Sequence, residues 1–397
     1  MYYASKVKRA TFNPETIGRD HNGQVYIAYC DSRRPSNEEF ARESFFFIAR
    51  GSYEEVAKEI QELHPEPETN KALTLLTDYK FLSETEHHKY VIPIRDAYYH
   101  YLVNTLTTIL FIAENDPKAE FYLFTGNHGG SEWRDVYIET RKNVDFLSYL
   151  LNFHGIRHYL LVSDIKFDNH SYLNKESIFY QENSGNPEIE KSMFCFAYPV
   201  YKFSNVTIVR DYAMCFDRTL GDIAYFMDKY VKTLDRVKPS DGYKKIYISR
   251  DGQKSPGSAF IDPDKPELGY KDDRRIYNEN KLEDYLKDKG FYILKPKNFN
   301  NHFEQFSILS SASLIVGPTG TGMINSLFMD SGKTVVELRL EQQDVQSGAE
   351  QQIVPYYGDY AYAKGHKYIA LDVSDKQADT AIEKLEDLFS LLDLDDL

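Results

Sequence analysis

Four segments between residues 245 and 340 constrain the fold more than any other part of the chain: KIYISR (245–250), FYILKP (291–296), SLIVGP (313–318) and TVVELRL (334–340). Each is short, rich in aromatic or β-branched residues and bounded by turn formers, the pattern of a β-strand. LIVG and VVEL are apolar at successive positions, so both faces of these strands must be covered, as in a parallel sheet. Between them, residues 280–289, 303–311 and 322–329 repeat apolar side chains at helical spacing. Strand, helix, strand at this spacing predicts βαβ units.

The first half reads similarly. QVYIAYC (24–30), FFFIAR (45–50), FYLFTG (121–126) and YLLVS (159–163) predict strands, and 98–113 and 144–153 predict helices. The polar stretch KTLDRVKPSDGY (232–243) carries Pro, Ser and Gly and separates two α/β blocks. The expected division is therefore a domain over 1–235, a second over 236–375, and a helix within 376–397 that packs back on the fold. A chain of 397 residues can bury two such cores.

Charge and cysteine usage exclude several classes. Asp and Glu number 61 against 47 Lys and Arg, a net charge of -14. That argues against a nucleic-acid binder, which needs a basic face, but leaves room for one phosphorylated ligand held by a few local groups. Cys30, Cys195 and Cys215 form no C-x-x-C pair and read as free thiols of a reducing compartment. The N-terminal MYYASKVKRATFNPETIGRD lacks the apolar run of a signal peptide, and no apolar stretch is long enough to span a bilayer. A cytoplasmic chain is expected, without a transmembrane segment. The 32 Tyr and 25 Phe suit sugar stacking or ordinary cores equally. His87 and His88 with Glu84 and Glu86 read as a solvated loop, and no metal site is expected.

The segment SLIVGPTGTGMINSLF (313–328) carries the most chemistry. A buried strand runs into a Gly-rich turn and then a helix. Gly317, Gly320 and Gly322 permit close backbone approach to a ligand, and a helix N-terminus presents N–H groups suited to a diphosphate. The turn lacks the Lys-Ser/Thr of a nucleoside-triphosphate loop, and Asn325 stands where a dinucleotide fingerprint has its third glycine. A purely structural turn is the competing reading. Arg250, ending YISR, offers a fixed-charge fork for phosphate oxygens. Arg274 and Arg275 precede a helix for which Asn278 is the expected N-cap with Glu279 in the first turn; ion pairs with Asp272 or Asp273 are the alternative use of those arginines. Glu337, at the end of VVE, occupies a position from which carboxylates accept from ribose hydroxyls. The polar stretch 251–274 reads as a lid or as disorder.

The order of these pieces resembles glycosyltransferase family 61: Tyr247 to Arg250 as Y-I-S-R, Arg275, Asn278, Glu279 and Leu282 as R-x-x-N-E-x-x-L, Phe303 to Ala312, V-G-P-x-G-x-G over Val316 to Gly322, and V-V-E-L ending at Leu338. AYYHYLVNTL (97–106) and VDFLSYLLNFHGI (144–156) are similar to two helices of that family. The resemblance implies a GT-B fold, α/β, with two Rossmann-like domains facing a central cleft. It further implies inverting transfer from a nucleotide-activated sugar, commonly a UDP-sugar, to a glycan or glycolipid acceptor in surface polysaccharide synthesis. No cofactor or metal is required, and peripheral association with assembly machinery at the inner face of the membrane is expected. It places Arg250, Arg275, Thr319, Gly320, Thr321, Gly322 and Glu337 on the donor, and Tyr99, Asn104 and Trp133 on the acceptor.

An inverting transfer needs a base for the acceptor proton. His100, Asp96 and Glu132 are the candidates; His100 on its apolar helix reads equally as a satisfied core histidine. Three departures from the family pattern stand out. Thr319 replaces a common His, Asn104 replaces an Asp or Glu, and Thr107 replaces a Pro. A sugar-nucleotide 2-epimerase, a polyol- or sugar-phosphate transferase and a non-catalytic binding subunit are the alternatives.

Overall fold

The computed structural model describes residues 18–29, 41–43, 46–49, 87–94, 98–126, 134–163, 196–197, 200–209, 220–240, 242–250, 276–340 and 356–392. The chain divides into two compact units, one within Thr11–Cys215 and the other within Phe216–Leu397.

The first unit is built on an eight-stranded sheet. Its strands are β1 (Gly18–Tyr29), β2 (Ala41–Glu43), β3 (Phe46–Ala49), β4 (His88–Pro93), β5 (Ala119–Gly126), β6 (His158–Ser163), β7 (Phe196–Ala197) and β8 (Val200–Val209), in the order β2-β3-β1-β8-β4-β5-β6-β7. β8, β4, β5, β6 and β7 are parallel neighbours. β1 pairs antiparallel with both β8 and β3, so the strands expected at 24–30 and 45–50 extend the parallel core as an antiparallel ribbon. β2 also pairs antiparallel with β3, and for that pair the physical reason is connection length. β2 and β3 are separated by two residues, enough for a hairpin and far too few for a crossover helix.

After β4 the chain makes one α-helical turn (Tyr98–His100), a π-helical turn (Tyr101–Leu106) and helix α1 (Thr107–Asn115). All six residues of the π-helical turn are buried. The Thr107 hydroxyl donates to the Leu102 carbonyl, five residues back, at 2.8 Å. A π-turn shifts carbonyls out of the usual i−4 register, and here the threonine at the family's proline position supplies a donor. Helix α2 (Arg134–Phe153) follows β5 and buries Val144, Phe146, Leu147, Leu150 and Leu151. His88 is exposed and its Nδ1 lies 2.8 Å from Asp116 Oδ2, which also accepts from the Tyr90 hydroxyl at 2.9 Å.

The second unit opens with α3 (Leu220–Phe226) and a π-helical turn (Met227–Val231). Its sheet contains β9 (Lys245–Ile248), β10 (Tyr292–Leu294), β11 (Leu314–Pro318), β12 (Thr334–Arg339) and β13 (Lys367–Asp372), all parallel, in the order β10-β9-β11-β12-β13. Numbered within the unit this is 2-1-3-4-5, a doubly wound order. The connections carry α4 (Glu279–Asp288), α5 (His302–Ser310), a 3-10 helix (Thr321–Phe328) and α6 (Tyr356–Ala363), and α7 (Ala378–Leu391) closes the unit. Every residue of β11 and the first five of β12 are buried, as their continuous apolar runs require.

The segment after the Gly-rich turn is a 3-10 helix rather than the α-helix its spacing suggests. Met323 to Phe328 are buried without interruption. Helix α7 packs on α4 through Leu282, Leu286, Ala378, Ala381 and Leu385. Tyr277 forms a parallel bridge with Gln377: its N–H donates to the Lys376 carbonyl at 2.7 Å, and its carbonyl accepts from Ala378 N at 3.2 Å. Among the described residues no helix is long and apolar enough to cross a membrane.

Candidate functional site

In a doubly wound sheet the ligand crevice opens beyond the carboxyl ends of the strands where the strand order reverses. Here that point falls between β9 and β11, because the connections leaving them diverge. Arg250 follows β9 and the turn Thr319–Gly322 follows β11, so topology brings together residues 70 positions apart. Arg250 Nη1 donates to the Thr319 carbonyl at 3.0 Å, and a Cβ placed on Gly320 would strike the Arg250 guanidinium. The absent side chain is what lets the fork lie over the turn.

Two other glycines of this segment also lie in close contact. A Cβ on Gly317 would lie 2.8 Å from Met323 Sδ and 3.4 Å from the Ile248 carbonyl oxygen, and one on Gly322 would lie 2.9 Å from Ile248 Cγ2. At these two positions the missing side chain leaves room for β9 and for Met323. Thr321 is exposed and Gly322 half-buried. They open the 3-10 helix, whose first N–H groups have no partner within it.

Two carboxylates one helical turn apart grip the end of β9. Glu279 Oε1 accepts from the Tyr247 hydroxyl at 2.8 Å and from the Arg250 backbone N–H at 3.0 Å. Glu283 Oε1 accepts from the Ser249 hydroxyl at 2.6 Å, and Glu283 Oε2 lies 2.9 Å from Lys295 Nζ. Both carboxylates are buried. Burial, then the Glu279 charge, holds the Tyr247 hydroxyl far above the usual phenol range, so it stays a donor. Asn278 occupies the N-cap position of α4 but in the left-handed conformation, φ 58°, and its side chain makes no capping bond. The expected cap is therefore replaced by a turn that Asn tolerates better than most residues. That turn follows Tyr277, which the bridge to Gln377 holds.

Glu337 is buried at the carboxyl end of β12. Its Oε1 accepts from the Thr319 hydroxyl at 2.7 Å and its Oε2 from the Tyr368 hydroxyl at 2.6 Å. Burial raises its carboxyl above the ordinary range, and these two donors work against that shift. The hydroxyl that replaces the family histidine is therefore committed to Glu337, and the Thr319 carbonyl to Arg250.

Of the acceptor-side and base candidates, Tyr99 and Asn104 are buried, the latter within the π-helical turn. His100 lies in the helical turn that follows β4, but its side chain, like Asp96, Glu132, Trp133, Arg275 and the stretch 251–274, lies outside the described residues. Among the described residues no group of three or more His, Cys, Asp or Glu could hold a metal ion. The sequence pattern places Glu279 in the first turn of α4 and in the family motif without giving it a partner, and it leaves Glu283 and Tyr368 unmarked. A signal for the first two was present: in ENKLEDYL, Glu279 and Glu283 share the face of Leu282 and Leu286, an inward face on which unpaired carboxylates are costly.

Residues 98–336, over half of the chain, match the sequence profile described as Glycosyltransferase 61. The chain belongs to glycosyltransferase family 61, and it is a glycosyltransferase. No curated protein matches it significantly. Among solved structures, E. coli heptosyltransferase WaaC with ADP is similar at 10% identity and TM-score 0.31, covering 75% of this chain and 99% of that one. E. coli ADP-heptose lps heptosyltransferase II is similar at 10% identity and TM-score 0.29, covering 76% and 99% respectively.

Proposed function

We propose that the chain transfers a sugar from a nucleotide-activated donor, a UDP-sugar, to a glycan or glycolipid acceptor in surface polysaccharide synthesis, with inversion at the anomeric carbon. The acceptor oxygen attacks that carbon as its bond to the diphosphate breaks, and the acceptor proton passes to a base. The observation that carries this reading is the Arg250 guanidinium seated over Gly320 at the strand-order reversal. A cation and the opening N–H groups of a helix converge where a leaving diphosphate would develop charge.

On this reading Arg250, Arg275, Thr321 and Gly322 meet the diphosphate. Thr319 shapes the turn, and Glu337 stands at the nucleoside side. The donor unit and the first unit would face each other across a cleft as two Rossmann-like domains of a GT-B enzyme. His100, Asp96 or Glu132 would take the proton, and Tyr99, Asn104 and Trp133 would line the acceptor side. No metal or other cofactor is required, so EDTA should leave turnover unchanged. The enzyme would work in the cytoplasm, peripherally at the membrane and its assembly machinery.

The test is a thermal-shift panel of UDP, GDP, CDP, CMP and ADP on the protein and on Arg250→Ala. A nucleotide at 100 times its Kd adds about 2.7 kcal/mol to stability. Stabilisation by one nucleotide that disappears in Arg250→Ala supports the donor site. A folded protein that no nucleotide stabilises overturns it.

A further inference from the structure

The grip of α4 on the end of β9 has a consequence for the candidate site. The Arg250 side chain leaves a residue whose backbone N–H is held by Glu279 Oε1 at 3.0 Å, and its guanidinium ends on the Thr319 carbonyl at 3.0 Å. Both ends of Arg250 are therefore fixed, one by a buried carboxylate and one by the Gly-rich turn. Ordinary strand pairing does not supply the first of these anchors. The neighbouring strand reaches only as far as Ser249, whose N–H donates to the Leu294 carbonyl at 3.0 Å. One residue later the ladder has ended, and the bond to Glu279 takes its place. The same oxygen also accepts from the Tyr247 hydroxyl, and Glu283 holds Ser249 from the next turn of α4. Two donors, the Tyr247 hydroxyl and the Arg250 N–H, therefore share one oxygen of a buried carboxylate.

We infer that Glu279 is a positioning residue for donor binding: its carboxylate does not touch the nucleotide but sets the direction in which the Arg250 guanidinium leaves β9. The inference rests on the donor-site reading above. A long arginine freed at its root can adopt several rotamers, and holding a charged fork in one geometry is part of what makes it a strong phosphate partner. Removing Glu279 should then weaken the site through Arg250 alone.

The experiment is isothermal titration of UDP and of ADP into the full-length protein and its variants. For whichever nucleotide binds, Glu279→Ala should weaken binding about tenfold, the scale of one charge-assisted hydrogen bond. The double variant Glu279→Ala/Arg250→Ala should bind no more weakly than Arg250→Ala. Glu279→Gln keeps an oxygen able to accept from the Arg250 N–H and should stay within about threefold of wild type. Tyr247→Phe removes the other donor on the same oxygen; it should lower Tm yet leave affinity within about threefold, because it does not release Arg250. If Glu279→Ala does not fold, Glu279→Asp, one methylene shorter, should show the same loss. Wild-type affinity in folded Glu279→Ala or Glu279→Asp overturns the inference. So does a loss that adds in full to that of Arg250→Ala. Wild-type affinity in Arg250→Ala overturns the donor-site reading itself, a result the single Glu279 variants cannot mimic.

Discussion

Arg250 Nη1 donates to the Thr319 carbonyl at 3.0 Å, which ties the end of one strand to the turn after its neighbour across the point where the strand order reverses. Gly320 lies directly beneath the guanidinium. On the proposed donor-site reading the relationship separates residues that bind from residues that support, and the two groups should respond differently to substitution.

Gly320→Ala adds a methyl that strikes the guanidinium of Arg250 and puts a side chain at φ 158°, a backbone conformation that favours glycine. The strain should lower Tm, and nucleotide affinity of the folded protein should fall about tenfold or more as the fork is displaced. Titration of the variant beside wild type checks this; unchanged affinity would contradict the seating of Arg250 over the turn.

Gly317→Ala differs in where its cost falls. Its Cβ meets Met323 Sδ at 2.8 Å and the Ile248 backbone at 3.4 Å, both within a packed layer. Overpacking of this kind costs about 1–3 kcal/mol, so Tm should drop in calorimetry, whereas the affinity of the remaining folded fraction should change less than in Gly320→Ala.

Lys364 and Asp228 form an asymmetric pair. Nζ lies 2.5 Å from Oδ1, with the lysine side chain 1% exposed and the aspartate 46%. Burial pulls the lysine below its usual range and Asp228 pulls it back. Asp228→Ala strands a buried cation and should cost on the order of 2–3 kcal/mol, whereas Lys364→Met should cost less. Denaturant melts of the two variants test the order.

His366 is held neutral from both sides: Nε2 donates to the Ser326 carbonyl at 2.9 Å and Nδ1 accepts from Lys333 N at 3.2 Å. Burial lowers its pKa from 6.5 to about 4. Above pH 6.5 folded and unfolded states both carry it neutral, and it adds no pH dependence. Below pH 6.5 the unfolded chain binds a proton that the folded chain refuses, so stability falls until the pH reaches about 4. Between pH 7 and 5.5 this amounts to about 1 kcal/mol. Melts of His366→Gln should show that much less loss over the same interval.

The second unit was legible in the sequence because buried parallel strands need long apolar runs: β9, β10, β11 and β12 fall inside the four segments singled out at the start. β8 was not legible. VYKFSNVTIV mixes Lys202, Ser204 and Asn205 into its apolar residues, and its partner β1 lies some 180 residues earlier. β13 and α6 were missed for a related reason, since KYIALD is only partly buried and YYGDYAYA carries no clear period. In the candidate site, Arg250 and the Gly-rich turn could be picked out by residue type. The grip of Glu279 on the Arg250 N–H, and of Thr319 on Glu337, depends on which strands become neighbours, and a linear pattern does not state that.

The parallel bridge between Tyr277 and Gln377 makes the start of α7 a stakeholder in the geometry around Arg250. Counting along the covalent chain, Gln377 is more than a hundred residues from Arg250; counting through contacts, it is held to Tyr277, Tyr277 leads within two residues to Glu279, and Glu279 holds Arg250. Fusion tags, trimming and frameshifts at a C-terminus are ordinarily treated as harmless. For this enzyme, a cut that removed α7 would loosen the same helix that anchors the arginine, so keeping α7 is part of keeping the catalyst whole.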